Sequence, residues 1–316
     1  MPPASLLLLT GPSAVGKSAV ALGLAERLGG EIISVDSMQV YRGLDLGTAK
    51  PSTTERARVP HHLIDVLDST ESFDAAQFVR LAQTAVRQIQ TRGRRPILTG
   101  GTGLYFKAYL EGLGEAPPAD PLLRARLEAT DLAELLAELR ERDPAGYASI
   151  DRNNPRRVIR ALEVIRLTGR PFSEQRAAWS RPAPVAQSPP EPTGPALQFF
   201  GLRRSSADLR LRIEHRVDAM FAAGLVAETG RLLAAGLERN RTAMQAIGYR
   251  QVVEHLRGQR PLAETIALVK TRTCQFARRQ MTWFRRQLPV RWLEVAPAEP
   301  PAATAERIQA FLQPGS

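Results

Sequence analysis

Chemistry concentrates first in Gly11-Pro12-Ser13-Ala14-Val15-Gly16-Lys17-Ser18, a G-x-x-x-x-G-K-S pattern that follows the apolar run Leu6–Leu9. Gly11 and Gly16 let the backbone turn tightly, so that successive N–H groups face one concavity at the start of a helix, an arrangement suited to phosphate. Lys17 adds a point charge, and the Ser18 hydroxyl is placed for a metal such as Mg²⁺. This loop specifies a polyphosphate without saying which one. A second group, Asp36-Ser37-Met38-Gln39, offers a carboxylate flanked by hydrogen-bonding side chains able to meet a purine edge. That carboxylate could serve as general base for an incoming amine or hydroxyl, or as an outer partner of a bound metal. A third group, Gly100-Gly101-Thr102-Gly103, supplies a second glycine-rich wall and a hydroxyl. The adjacent His61-His62 lacks metal-ligand spacing and reads as polar loop or cleft.

These groups need a frame that brings them to one edge. Leu6–Leu9 reads as a buried strand, 19–28 as a helix ending at Gly29-Gly30, and Glu31–Val35 as a second strand, which makes a βαβ opening on a parallel sheet. Asp74 is placed to cap a helix through Ile89, and Pro96–Thr99 is a further strand running into the second glycine-rich turn. Ligands of parallel sheets sit beyond the carboxyl ends of the strands, so Asp36 and Thr102 are expected to share a cleft with Lys17 and Ser18. After Glu115 the pattern turns helical: 121–142 reads as helix, and a second helix begins at Asn154-Pro155. The latter has Val158, Ile159, Leu162 and Ile165 on one face, and Arg156, Arg157, Arg160 and Arg166 spread over the rest with Glu163 as the single carboxylate. A strand returns at Leu197–Leu202, followed by an amphipathic helix over 208–223 carrying Arg212 and Arg216. A long basic helix ends in Arg279-Gln280-Met281-Thr282-Trp283-Phe284, and 290–295 closes the sheet. The expected fold is α/β, a P-loop NTPase-like parallel-sheet core with an inserted all-helical domain. The core comprises 1–115 and 197–316, the insertion 116–180, and 181–196 is a Pro-rich linker.

The 316 residues carry 43 basic and 32 acidic side chains, a net charge of +11 that points to a polyanionic partner. Only four of the basic residues are lysine, so a general preference for arginine contributes to that excess. With Cys274 as the single cysteine, an internal disulfide and a cysteine zinc cluster are excluded. No run reaches the ~20 apolar residues of a membrane span. A cytoplasmic, reducing compartment is the default expectation.

Gly11–Ser18, Asp36–Tyr41, Gly47–Pro51, His61–Asp65, Gly100–Tyr105, Arg160–Val164, Ile247–Tyr249 and Arg279–Phe284 occur here in an order that resembles the tRNA dimethylallyltransferase (tRNA isopentenyltransferase) family. The resemblance covers about residues 6–290 and implies transfer of a dimethylallyl group from dimethylallyl pyrophosphate to N6 of the adenosine just 3′ of the anticodon, in tRNAs that read codons beginning with U. By it, Gly11, Pro12, Ser13, Ala14, Val15, Gly16, Lys17 and Ser18 hold the donor pyrophosphate together with Arg216 and Mg²⁺ on Ser18. Asp36, Lys17 and Thr102 are the implied catalytic residues, Asp36 as base. The implied tRNA contacts are Asp36, Ser37, Met38, Gln39, Thr102, Arg124, Arg156, Arg157, Val158, Ile159, Arg160, Gln245, Gly248, Tyr249 and Arg250, with the anticodon stem-loop as partner, no membrane, and a monomer as the working state. Two rivals share parts of this pattern. An adenylate isopentenyltransferase would not need a large basic insertion, and a P-loop small-molecule kinase would be expected to carry a carboxylate after Thr99.

Overall fold

A computed structural model of the chain describes residues 5–176 and 198–312; the 181–196 linker lies outside the described residues. In chain order the first elements are β1 (Leu7–Thr10), α1 (Lys17–Leu28), β2 (Gly30–Val35), α2 (Thr53–Arg58), β3 (His61–His62), α3 (Ala75–Thr91), β4 (Arg95–Gly100) and α4 (Gly103–Glu111). Five helices follow: α5 (Pro121–Ala129), α6 (Leu132–Arg142), α7 (Pro144–Ser149), α8 (Pro155–Thr168) and α9 (Phe172–Gln175). The remainder is β5 (Gln198–Arg203), α10 (Ser206–Ala222), α11 (Leu225–Ala234), α12 (Tyr249–Leu256), α13 (Leu262–Gln287), β6 (Arg291–Glu294) and α14 (Pro301–Ala310). Two compact units result. One takes the described residues up to Lys107 and from Gln198 onward, and the other runs from Ala108 to the end of the helical stretch. That division falls inside α4, ahead of the Pro-containing stretch at 115–120.

The first unit is built on six parallel strands in the order β3-β2-β4-β1-β5-β6. β1 is central and buried along its length, which explains why it reads as an unbroken leucine run rather than an alternation. Leu7 and Leu9 pack with Val20, Ala21 and Leu24 of α1 and Ala305 and Ile308 of α14, each large side chain contributing about 1.5–3 kcal/mol of burial. α1 stops at Gly29, whose φ of 59° turns the chain directly into β2. β3 stops after two residues, because Leu63 and Asp65 adopt positive φ and bend the chain away.

Strand order decides where the site forms. β4 lies between β1 and β2, so the loops after these three strands sit side by side at one edge. Gly100 makes the approach possible: a Cβ there would stand 2.0 Å from the Val35 carbonyl oxygen. In the second unit, α5, α6 and α8 pack through Leu127, Leu135, Leu139, Val158, Ile159, Leu162 and Ile165. The expected continuous helix over 121–142 is two helices, because the Asp131 carboxylate accepts from Ala133 N and starts α6 afresh.

Candidate active site

The loop after β1 turns through Gly11 (φ 153°) and Gly16 (φ 105°), with Ala14 also at positive φ. Its outward carbonyls are engaged by two arginines: Arg204 Nε donates to Val15 O at 2.9 Å, and Arg212 Nε to Ala14 O at 2.9 Å. Arg204 also pairs with Asp208, so the strand-to-helix turn after β5 braces the loop from outside. Lys17 and Ser18 open α1, where unpaired N–H groups and the helix dipole favour an anion. Burial lowers the Lys17 pKa to about 8, Arg216 adds to that shift, and the Asp36 carboxylate opposes it. Arg216, reaching in from α10, is likewise lowered by burial and raised by Asp36. Two buried cations facing one carboxylate leave a site short of negative charge.

Asp36 follows β2. Its Oδ1 accepts from Met38 N at 2.8 Å and Gln39 N at 3.2 Å, which fixes the carboxylate. Among the described residues Oδ2 carries no hydrogen bond. Thr102 N donates to Val35 O, and Thr102 Oγ1 accepts from Ser37 N at 3.2 Å, leaving the hydroxyl proton to donate elsewhere. Ser13, Lys17, Ser18, Asp36, Thr102 and Arg216 all line one cavity of about 420 Å³. Ser37, Met38, Gln39 and Gln245 lie on the same wall system, and Val217, Met220, Ile247, Val269 and Phe276 give it an apolar side.

Several sequence expectations need correction. The Gln39 amide does not present itself to a purine: Nε2 donates to Thr48 O and Ala49 O, and Oε1 accepts from Ser34 Oγ at 2.8 Å. Tyr249 is wholly buried, its hydroxyl donating to Glu228 and accepting from Gly47 N at 3.1 Å, so it shapes the 45–49 loop. Gly248 is buried beside it, whereas Gln245 and Arg250 are exposed, Arg250 near Glu254. In the helical unit Val158 and Ile159 belong to the core. Arg124 and Arg160 both reach the Glu163 carboxylate at 2.6 Å, and Glu163 is 0% exposed. They neutralise a buried acid while their side chains stay partly exposed. Arg166 pairs with Glu138, and Arg156 and Arg157 are exposed on that helix's first turn.

Sequence reasoning gave no role to Gln280, Arg204 or Arg212. Gln280 had a visible signal, a glutamine on the same helical stripe as the buried Ala277 and Phe284. The two arginines had none, since their role is to meet carbonyls nearly two hundred residues away in sequence.

This chain is similar to known proteins over most of its length. A family model described as IPP transferase matches residues 39–287. tRNA dimethylallyltransferase 1 of Trichlorobacter lovleyi is 47% identical over 91% of this chain and 93% of its own length. The tRNA dimethylallyltransferase of Salinispora arenicola is 48% identical over 92% and 83%. Among solved structures, the full-length tRNA isopentenylpyrophosphate transferase of Bacillus halodurans superposes with a TM-score of 0.69 at 39% identity, covering 98% of this chain and 95% of that one. A eukaryotic dimethylallyltransferase crystallised acting on tRNA gives a TM-score of 0.72 at 26% identity, over 92% of this chain and 74% of that one. With a phosphate loop, an acid after the second strand and a hydroxyl after the fourth lining one cavity, this chain belongs to the tRNA dimethylallyltransferase family of IPP transferases.

Proposed function

We propose that the protein transfers the dimethylallyl group of dimethylallyl pyrophosphate to N6 of the adenosine 3′ of the anticodon in tRNAs reading codons that begin with U. The observation that carries this reading is a single cavity holding both a pyrophosphate grip and an oriented carboxylate. N6 attacks C1 of the dimethylallyl group as the C1–O bond breaks; the electron pair leaves with pyrophosphate, and the N6 proton passes to a base. Asp36 suits that base because two backbone N–H groups pin Oδ1 while Oδ2 is left to accept. Lys17, Arg216 and the N-terminus of α1 take up the charge growing on the leaving oxygen. The Thr102 hydroxyl, whose oxygen accepts from Ser37 N, suits a hydrogen bond to the acceptor.

The donor set fits Mg²⁺. Among the described residues no group of three or more His, Cys, Asp or Glu could hold a metal, so a Mg²⁺ ion would be held by Ser18 Oγ together with phosphate oxygens and water. That is the habit of Mg²⁺ in phosphate sites. When bound, it neutralises charge on the pyrophosphate. On the helical unit, exposed Arg156 and Arg157 suit the phosphates of an anticodon stem-loop, whose unpaired bases can be splayed out and read. No helix of the described residues is long and apolar enough to cross a membrane, and a cytoplasmic monomer is the working state we propose.

Incubating the protein with Mg²⁺, dimethylallyl pyrophosphate and unmodified tRNA should add one dimethylallyl mass to a single adenosine, read by nucleoside mass spectrometry. No gain on tRNA, accompanied by phosphate transfer from ATP to a small molecule, would overturn the assignment.

A further inference from the structure

We infer that Gln280 is a positioning residue that sets the donor loop against the acceptor loop. The inference rests on the prenyl-transfer reading and concerns how its two halves are held in register. Gln280 lies on α13 and is 7% exposed. Its Oε1 accepts from Ser13 N at 2.9 Å, and Ser13 Oγ lies 3.4 Å from the same oxygen. Its Nε2 donates to Gly101 O at 2.9 Å. One planar amide therefore spans the phosphate loop after β1 and the glycine-rich turn after β4, using its acceptor on one and its donor on the other. The two loops have no covalent link closer than the β1-to-β4 connection, and the strand pairing between them ends at Thr10 and Gly100.

The acceptor turn is held from α13 at a second point. Trp283 lies one helical turn from Gln280, and its indole occupies the space that a Cβ on Gly103 would need, 2.2 Å from Cε3. Gly101 is constrained by Gln280 itself, whose Nε2 stands 2.5 Å from the Cβ that glycine lacks. Thr102 sits between these two contacts. α13 thus clamps the residues on both sides of Thr102 while Gln280 ties the same helix to Ser13. Ser13 N–H is committed to Gln280, so the glutamine shapes the cradle by holding one of its N–H groups. What it controls is the separation between the bound pyrophosphate and the Asp36–Thr102 pair, the geometry an in-line displacement depends on.

The test is steady-state and single-turnover prenylation of unmodified tRNA by full-length Gln280→Leu, Gln280→Glu and Gly101→Ala, with the double variant Gly101→Ala/Gln280→Leu closing a cycle. Donor and tRNA dissociation constants are measured in parallel. Leu removes both hydrogen bonds, Glu keeps the acceptor and loses the donor, and Ala at 101 pushes the donor away. The expected result is a loss of about 10²-fold in the single-turnover rate for each single variant, the scale of a misplacement near 1 Å. Donor and tRNA affinities stay within about an order of magnitude, and the double variant is no slower than the worse single one. A wild-type single-turnover rate in Gln280→Leu, or losses that multiply in the double variant, overturns the inference. If Gln280→Leu does not fold, Gln280→Glu and Gly101→Ala decide the same question. Wild-type protein that fails to prenylate tRNA refutes the functional reading instead, and an active wild type with an equally active Gln280→Leu refutes the positioning role alone.

Discussion

Lys17 offers the sharpest quantitative test of the site. Burial, aided by Arg216 and opposed by Asp36, brings its pKa from 10.5 to about 8 in the protein without donor. At about 1.36 kcal/mol per unit, that depression corresponds to roughly 3 kcal/mol of charge held without an adequate anion. The sign follows from linkage. Between pH 8 and 10.5 the unfolded chain keeps a proton on this lysine that the folded chain has released, so the free protein gains stability as pH rises through that window. Donor binding runs the other way. The pyrophosphate supplies the missing anion and favours charged Lys17, so donor affinity is flat below pH 8 and then weakens, by up to about tenfold per pH unit.

The assay is titration calorimetry of a non-transferable thio analogue of the donor at fixed Mg²⁺ without tRNA, from pH 7 to about 9.5, alongside urea unfolding of the free protein over the same range. The terminal phosphate of the donor, with a pKa of about 6, is ionised throughout and adds no slope of its own. Lys17→Met should bind donor weakly at every pH and lose both the rising stability and the falling affinity. A wild-type dissociation constant that stays level to pH 9.5, or a break near pH 8 that survives in Lys17→Met, would refute the reasoning.

Asp36→Asn keeps an acceptor for Met38 N and Gln39 N but cannot take a proton; we expect single-turnover prenylation to fall by about 10²–10⁴-fold while tRNA affinity, from filter binding, changes by less than an order of magnitude. Replacing Arg156 and Arg157 together with Ala should weaken tRNA binding and reduce the slope of log affinity against log salt by roughly 1.4–1.8, read from binding at several salt concentrations. Tyr249→Phe strips the bonds to Glu228 and Gly47 and should lower stability by about 1–3 kcal/mol in urea unfolding, leaving the salt slope of tRNA binding untouched because the ring is buried.

Residues whose role is local were legible in the sequence, and those whose role is set by distant partners were not. Gly11, Gly16 and Lys17 act within one turn, and Asp74 caps its own helix together with Gln77, so spacing alone revealed them. Arg160 looked like its neighbours Arg156 and Arg157 because periodicity cannot see that Glu163 is buried three residues on and also holds Arg124 from α5. The amide contacts of Gln39 are illegible in the sequence for a similar reason. Its partners Thr48 and Ala49 lie on a loop whose return toward β2 depends on Tyr249 and Glu228, far along the chain. A motif can mark residues in a family without telling those that meet substrate from those that hold the ones that do.

The position of the acid distinguishes this site from a phosphate-loop kinase more than the loop itself does. β4, the strand beside β1, ends in Thr99-Gly100 and runs into Gly101 without a carboxylate, while the acid follows β2, one strand further out. Adjacent strands lie about 4.8 Å apart, so the backbone that carries Asp36 stands roughly 9–10 Å from the phosphate loop instead of half that. An acid on the nearer strand would meet a phosphate-bound metal directly. On the farther strand the acid is set back from the phosphate loop, on the cavity wall it shares with Thr102. Gly100 keeps that longer reach usable, since any side chain there would meet Val35 and push the two loops apart. The same separation explains why the acid acts on Lys17 and Arg216 through charge without pairing with either.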